Sequence, residues 1–192
     1  MKNPILWFLL INLITFSSAC TPILKATNDG PIQQDKSTRT MGDWVDDNTI
    51  ETVTQVNIAK ADPALEQSSH IVVTSYEGIV LLTGQVANER LRSLAGDVAR
   101  NVKKVRRVYN ELEIGPATTF LIRSNDSWLT SKIKTKMLAE KNFPAGKIKI
   151  VTENGIVYLM GKVSQSVARH AVDISRTAYG VQKIVKIFDY TD

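Results

Sequence analysis

Along residues 44–192 the apolar positions change twice between a helical and a strand period, in the same order each time. In the first pass, residues 71–75 and 79–83 are β-branched and apolar, and Glu77-Gly78 between them reads as a hairpin turn. Leu91, Leu94, Ala95, Val98 and Val102 follow at helical spacing. Ahead of the hairpin, Asn48-Thr49-Ile50-Glu51 reads as a helix start with Glu51 placed to close a capping box, and Ile50, Val53 and Asn57 share one face. The last strand alternates, with Val108, Asn110, Leu112 and Ile114 on one side and Tyr109, Glu111 and Glu113 on the other. One sheet face is therefore expected under the helices and the other to be more polar.

The second pass repeats the first. Leu129, Ile133 and Met137 line a helix, Asn154-Gly155 is the strongest hairpin signal in the chain, and Val167, Ala171, Ile174 and Ala178 line a second helix. Residues 185–190 make the last strand. The hairpin Gly78-Ile79-Val80-Leu81-Leu82-Thr83-Gly84-Gln85-Val86 matches Gly155-Ile156-Val157-Tyr158-Leu159-Met160-Gly161-Lys162-Val163 at an offset of 77 residues. Ala95–Arg100 matches Ala171–Arg176 at 76, and Asp47–Ile50 matches Asp126–Leu129 at 79. Small loop insertions produce such a drift, and a repeat of this length means two copies of one small domain. The predicted class is α+β, as two tandem αββαβ units, each a three-stranded mixed sheet with two helices on one face.

The amino terminus does not share this pattern. Lys2 precedes an apolar run, Ile5 to Phe16, that falls short of the roughly 20 residues needed to span a bilayer, and it reads as a secretory signal over 1–19. Ser17-Ser18-Ala19 and then the sole cysteine, Cys20, resemble a bacterial lipoprotein signal, in which the cysteine is acylated. A cleaved signal or an uncleaved anchor with an incidental cysteine is the plainer alternative. Residues 20–43 are polar without an apolar period and read as a tether. The domains are expected at 44–115 and 125–192, with a linker at 116–124.

Charge separates the copies. Residues 47–114 hold eight Lys/Arg against nine Asp/Glu, a net of −1, whereas residues 125–192 hold eleven against six, a net of +5. Lys132, Lys134 and Lys136 crowd the first helix of the second copy. At about 100° per residue, Trp128 lies roughly 140° from the core stripe, beside Ser131, Lys132, Thr135 and Leu138. An indole beside lysines suits a lipid headgroup layer. The residues alone equally allow Trp128 to pack on the first copy or the linker, with the lysines a solvated face.

The αββαβ order, the Gly-x-Val-x-Leu-x-Gly-x-Val hairpin and the Val-rich last strand resemble the BON domain, a bacterial periplasmic module. Two copies behind a lipoprotein signal resemble the dual-BON outer-membrane lipoproteins. That resemblance implies a non-enzymatic, lipid-anchored protein on the periplasmic side of the outer membrane, where Thr21 after Cys20 also points. It implies binding of anionic phospholipid by the second copy and a role in envelope integrity, with the division site as its place. Carried over by position, the lipid surface comprises Trp128, Leu129, Ser131, Lys132, Lys134, Lys136 and Leu138, with Gly161 and Lys162 beside it. Helix geometry turns Leu129 inward, which makes it a support. The alternative partner is an envelope protein, docked by the Trp128 surface or by the polar sheet face of the first copy.

No cofactor is expected, and no metal site: Asp43, Asp46 and Asp47 lack the spacing of a calcium loop and suit helix capping better. His70 and His170 have no serine–acid partner in a motif, and no carboxylate pair or nucleophile–base pair marks a catalytic centre. The Lys103-Lys104 and Arg106-Arg107 cluster lacks interleaved stacking aromatics, and export makes nucleic acid an unsuitable partner.

Overall fold

Met41–Ala61 form the first helix, α1, and a computed structural model describes the chain from residue 38 to residue 192. The signal, Cys20 and most of the tether lie outside the described residues. α1 begins ahead of the expected Asn48. Its cap is Thr40, whose Oγ1 accepts from the Asp43 amide at 3.1 Å while the Asp43 carboxylate accepts from the Thr40 amide at 2.8 Å. Glu51 closes no box; its Oε1 accepts from the Ser75 amide and from Lys149 Nζ, each at 2.7 Å. The buried face is Asp47, Ile50, Thr54 and Ile58. Val53, expected on that face with Asn57, is exposed, because a polar threonine takes the core position and masks the period.

A short helix α2 (Pro63–Gln67) leads into β1 (His70–Tyr76), which pairs antiparallel with β2 (Ile79–Val86). Helix α3 (Glu89–Arg100) then crosses back to β3 (Arg107–Asn110) and β4 (Glu113–Ile114), both parallel to β2. The expected single last strand is thus split, with Leu112 turned into the core at the break. The second copy repeats the plan. Helix α4 (Phe120–Ala139) starts within the stretch read as a linker, capped by Thr119. A 3-10 turn (Ala145–Lys147) follows, then β5 (Ile148–Glu153) antiparallel to β6 (Ile156–Val163), α5 (Gln165–Arg176), and β7 (Lys183–Tyr190) parallel to β6.

Both hairpins turn through two residues of positive φ: +47° and +74° at Glu77-Gly78, +49° and +75° at Asn154-Gly155. This is the twist that a two-residue hairpin needs. The repeated aspartates hold these turns. Buried Asp47 accepts from the amides of Glu77 (2.8 Å) and Gly78 (3.0 Å), and buried Asp126 from those of Asn154 (2.8 Å) and Gly155 (2.9 Å).

Each copy has an apolar core between its helices and one sheet face. The other face is not the free polar surface expected. Tyr76, Ile79 and Leu81 pack there against Tyr158, Met160 and Ile187 in a third buried cluster, so the sheets stand back to back. Every residue of β2 is buried in consequence. Reciprocal contacts show the symmetry. Tyr76 donates its hydroxyl to the Lys147 carbonyl at 3.2 Å, and its counterpart Glu153 lies 3.8 Å from His70, the counterpart of Lys147. Gln85 donates to Glu153 at 2.9 Å, while its counterpart Lys162 reaches Glu77, one residue past the counterpart of Glu153, at 3.6 Å. The copies thus form an internal pseudo-dimer. All three clusters lie inside the compact unit Lys36–Asp192, which holds its own hydrophobic cores, as a domain able to fold alone does.

Candidate functional site

The most distinctive exposed surface runs along α4. Its core stripe is Asp126, Leu129, Ile133 and Met137, which turns Trp128 outward, 57% exposed. Lys132, one turn on, sets its ammonium 4.3 Å from the centre of the indole ring, a cation–π contact that holds both side chains on one face. Leu138, 66% exposed, continues the stripe toward the C-terminus. Leu121, almost two turns before Trp128, extends it the other way, and Phe120 flanks it; both are largely exposed.

The polar positions between them have their hydroxyl protons engaged. Ser127 donates to the Arg123 carbonyl, Ser131 to that of Ser127 and Thr135 to that of Ser131, at 2.9–3.0 Å. Donors already paired within the helix cost less to move out of water. The face is a strip of aromatic and aliphatic groups with one cation stacked on it.

Other residues placed on this surface by sequence lie elsewhere. Leu129 is fully buried in the core. Gly161 lies inside β6, where an added Cβ would collide with the Lys147 carbonyl oxygen; only glycine lets β5 approach. Lys134 points to the flank, where its ammonium donates to the carbonyls of Ala145 (2.6 Å) and Ile148 (2.9 Å), and burial lowers its pKa. Lys136 donates to the carbonyl (3.0 Å) and hydroxyl (2.7 Å) of Thr177, capping the C-terminal end of α5. Lys162 faces Glu77 of the first copy. The structure brings Trp128, Ser131, Lys132 and Leu138 onto one face, and gives Leu129, Lys134, Lys136, Gly161 and Lys162 supporting positions.

Sequence reasoning missed three contributors. Phe120 and Leu121 sit in helical turns that carry no core period, and so read as linker. Tyr179 is 89% exposed in the loop after α5. The bonds from Lys136 to Thr177 place that loop against α4, and a Cβ on Gly180 would lie 3.7 Å from Leu129. The repeat itself signals it: at an offset of 76 residues Tyr179 stands where the first copy has Lys103, just as Trp128 stands where the first copy has Thr49.

Of the other candidates, Asp43 caps α1 and Asp47 holds the hairpin. His170 is exposed, 3.7 Å from Glu140 and edge-on to Phe143. Among the described residues no group of His, Cys, Asp and Glu could hold a metal, and no helix is long and apolar enough to cross a membrane.

Comparison with known proteins agrees with this architecture. The family described as the BON domain matches residues 46–116 and 125–191. The chain is 40% identical to the outer membrane lipoprotein DolP of Haemophilus influenzae, over 80% of this chain and 79% of the relative. It is 36% identical to a 21 kDa hemolysin of Actinobacillus pleuropneumoniae, over 79% of this chain and 78% of the relative. It is also 30% identical to the osmotically-inducible protein Y of Escherichia coli, over 83% and 81%.

Proposed function

The chain belongs to the BON-domain family, with two copies, and from that premise we propose that it is an outer-membrane lipoprotein whose second copy docks on anionic phospholipid. It faces the periplasm and serves envelope integrity, with the division site as its place of action. The observation that carries the reading is the exposed Trp128 with Lys132 stacked on it, flanked by exposed Leu121 and Leu138.

The indole suits the semi-apolar headgroup layer, where its N–H stays wet. Lys132 brings its charge to the lipid phosphates and contributes on the order of 1 kcal/mol. Acylation at Cys20 keeps the domain near the surface, so the α4 contact works at high effective concentration and need not be strong by itself. Relatedness to a protein named as an outer membrane lipoprotein supports the location.

The test is flotation of residues 36–192 with vesicles of phosphatidylglycerol or of phosphatidylcholine. Binding is expected to the anionic vesicles only, to fall about fivefold in Lys132→Gln and to vanish in Trp128→Glu. Equal binding to both vesicle types, or full binding by Trp128→Glu, refutes the docking. The anchor is tested by the intact mass of the membrane-extracted full chain against Cys20→Ala; an unmodified mass refutes it. A fluorescent fusion spread evenly around the cell refutes the division-site role.

A further inference from the structure

The second copy has a groove of about 280 Å³ between α5 and β7, apart from the α4 face. Its floor is apolar: Val172, Val181 and Ile184. Its rim is cationic: Arg176, Lys183 and Lys186, all exposed. Arg176 shares its charge with Asp173 at 3.6 Å, a pair open to water on both sides. Lys183 and Lys186 have no ion-pair or hydrogen-bond partner among the described residues. β7 is also an edge strand, so no further strand covers this side of the sheet.

The first copy supplies an internal control. At an offset of 76 residues, Gly96, Arg100, Arg107 and Asn110 occupy the positions of Val172, Arg176, Lys183 and Lys186. There the groove is filled. The Asn110 amide donates to the Arg92 carbonyl at 2.7 Å and lies so close over Gly96 that an added Cβ would sit 2.7 Å from it. One backbone plan thus closes the groove in one copy. In the other it leaves the groove open, with a lysine in place of the plugging asparagine.

Two unpaired lysines and a solvent-shared arginine around an apolar floor select a ligand that carries negative charge at one end and carbon at the other. We propose that this groove is an anion site for a phosphate ester, the phosphate lying among Arg176, Lys183 and Lys186 and the organic group on Val172, Val181 and Ile184. The phosphate can come from a lipid headgroup or from a soluble phosphorylated metabolite. The site does not depend on docking through α4.

The test follows backbone amide resonances of residues 36–192 during titration with glycerol 3-phosphate and with inorganic phosphate, against sodium chloride at matched ionic strength. Saturable shifts are expected around 172–186, with glycerol 3-phosphate binding severalfold tighter than inorganic phosphate. The double variant Lys183→Gln/Lys186→Gln should bind at least tenfold more weakly with an unchanged thermal midpoint, and Lys186→Asn, which copies the first copy's plug, should bind as weakly. Arg100→Gln should bind as the parent does. Shifts that chloride reproduces, or binding that neither groove variant weakens, overturn the proposal. Phosphatidylglycerol vesicles added to the Trp128→Glu protein then identify the source. Displacement of glycerol 3-phosphate supports a headgroup ligand, and retention supports a soluble one.

Discussion

Asp47 offers the sharpest test of how the repeat holds itself together. Its buried carboxylate accepts from Ser75 Oγ (2.6 Å), from the amides of Glu77 (2.8 Å) and Gly78 (3.0 Å), and from Arg39 (2.6 Å). Asp47→Ala strands two backbone N–H groups and a hydroxyl in a place that water reaches poorly. At about 1–3 kcal/mol for each buried donor left unpaired, the loss is on the order of 3–6 kcal/mol. That is a large share of the roughly 5–15 kcal/mol that keeps a domain folded. Asp47→Asn keeps one acceptor but turns an amide donor toward another donor, and should cost about 2 kcal/mol.

The charge adds a pH signature. Burial pushes the Asp47 carboxyl up, but the bonds from Ser75, Gly78, Glu77 and Arg39 together outweigh it and hold its pKa below the ordinary value of 3.8. A depressed folded pKa stabilises fully above the unfolded value, and the gain fades as pH falls through the folded one. Urea denaturation of residues 36–192 between pH 7 and pH 3 should show a constant gap between the parent and Asp47→Asn down to about pH 5, narrowing below about pH 4. A loss under about 1 kcal/mol for Asp47→Ala at pH 7 would refute the reasoning, as would a gap to Asp47→Asn that ignores pH.

Three further outcomes follow from the packing. The unit should unfold in one transition by calorimetry, and Leu81→Asp, which puts a charge into the cluster between the sheets, should split or abolish it; two transitions in the parent would contradict the back-to-back core. Gly161→Ala should cost about 2 kcal/mol or more, read as a fall of roughly 4–8 °C in thermal midpoint, because its Cβ meets the Lys147 carbonyl. Lys136→Met should lower stability by about 0.5–1 kcal/mol through the lost cap on α5 and leave vesicle binding within twofold of the parent, whereas Lys132→Gln should do the reverse.

The hairpins were legible because a two-residue turn needs positive φ, and Gly78, Gly155 and Asn154 advertise it. The outward Trp128 was legible because Leu129, Ile133 and Met137 fix the phase of α4. The helix starts were not. The first turns of α1 and α4 rest little apolar surface on the sheets, and Asn48–Glu51 imitates the capping box that Thr40 and Asp43 make. The fate of the lysines was also hidden, since Lys134 and Lys136 are tied down by carbonyls of the 145–148 and 177 segments, far from them in sequence. The inter-sheet core did have a signal. The unbroken apolar run Ile79–Leu82 is what a strand covered on both faces requires, but the alternation of Tyr109, Glu111 and Glu113 outweighed it.

The reciprocal packing of the sheets has a consequence for how such a repeat can evolve. With both sheet backs committed to each other, a change on one back must be met by its partner across the seam, as Tyr76 against Glu153 and Leu81 against Tyr158 show, whereas the helix sides diverge freely: threonine against tryptophan, lysine against tyrosine, a plugged groove against an open one. A half-length chain carrying either copy alone would bare Ile79 and Leu81, or Tyr158 and Met160, to water. It would be adhesive, pairing with a second half-chain or with whatever strand-rich surface it met first.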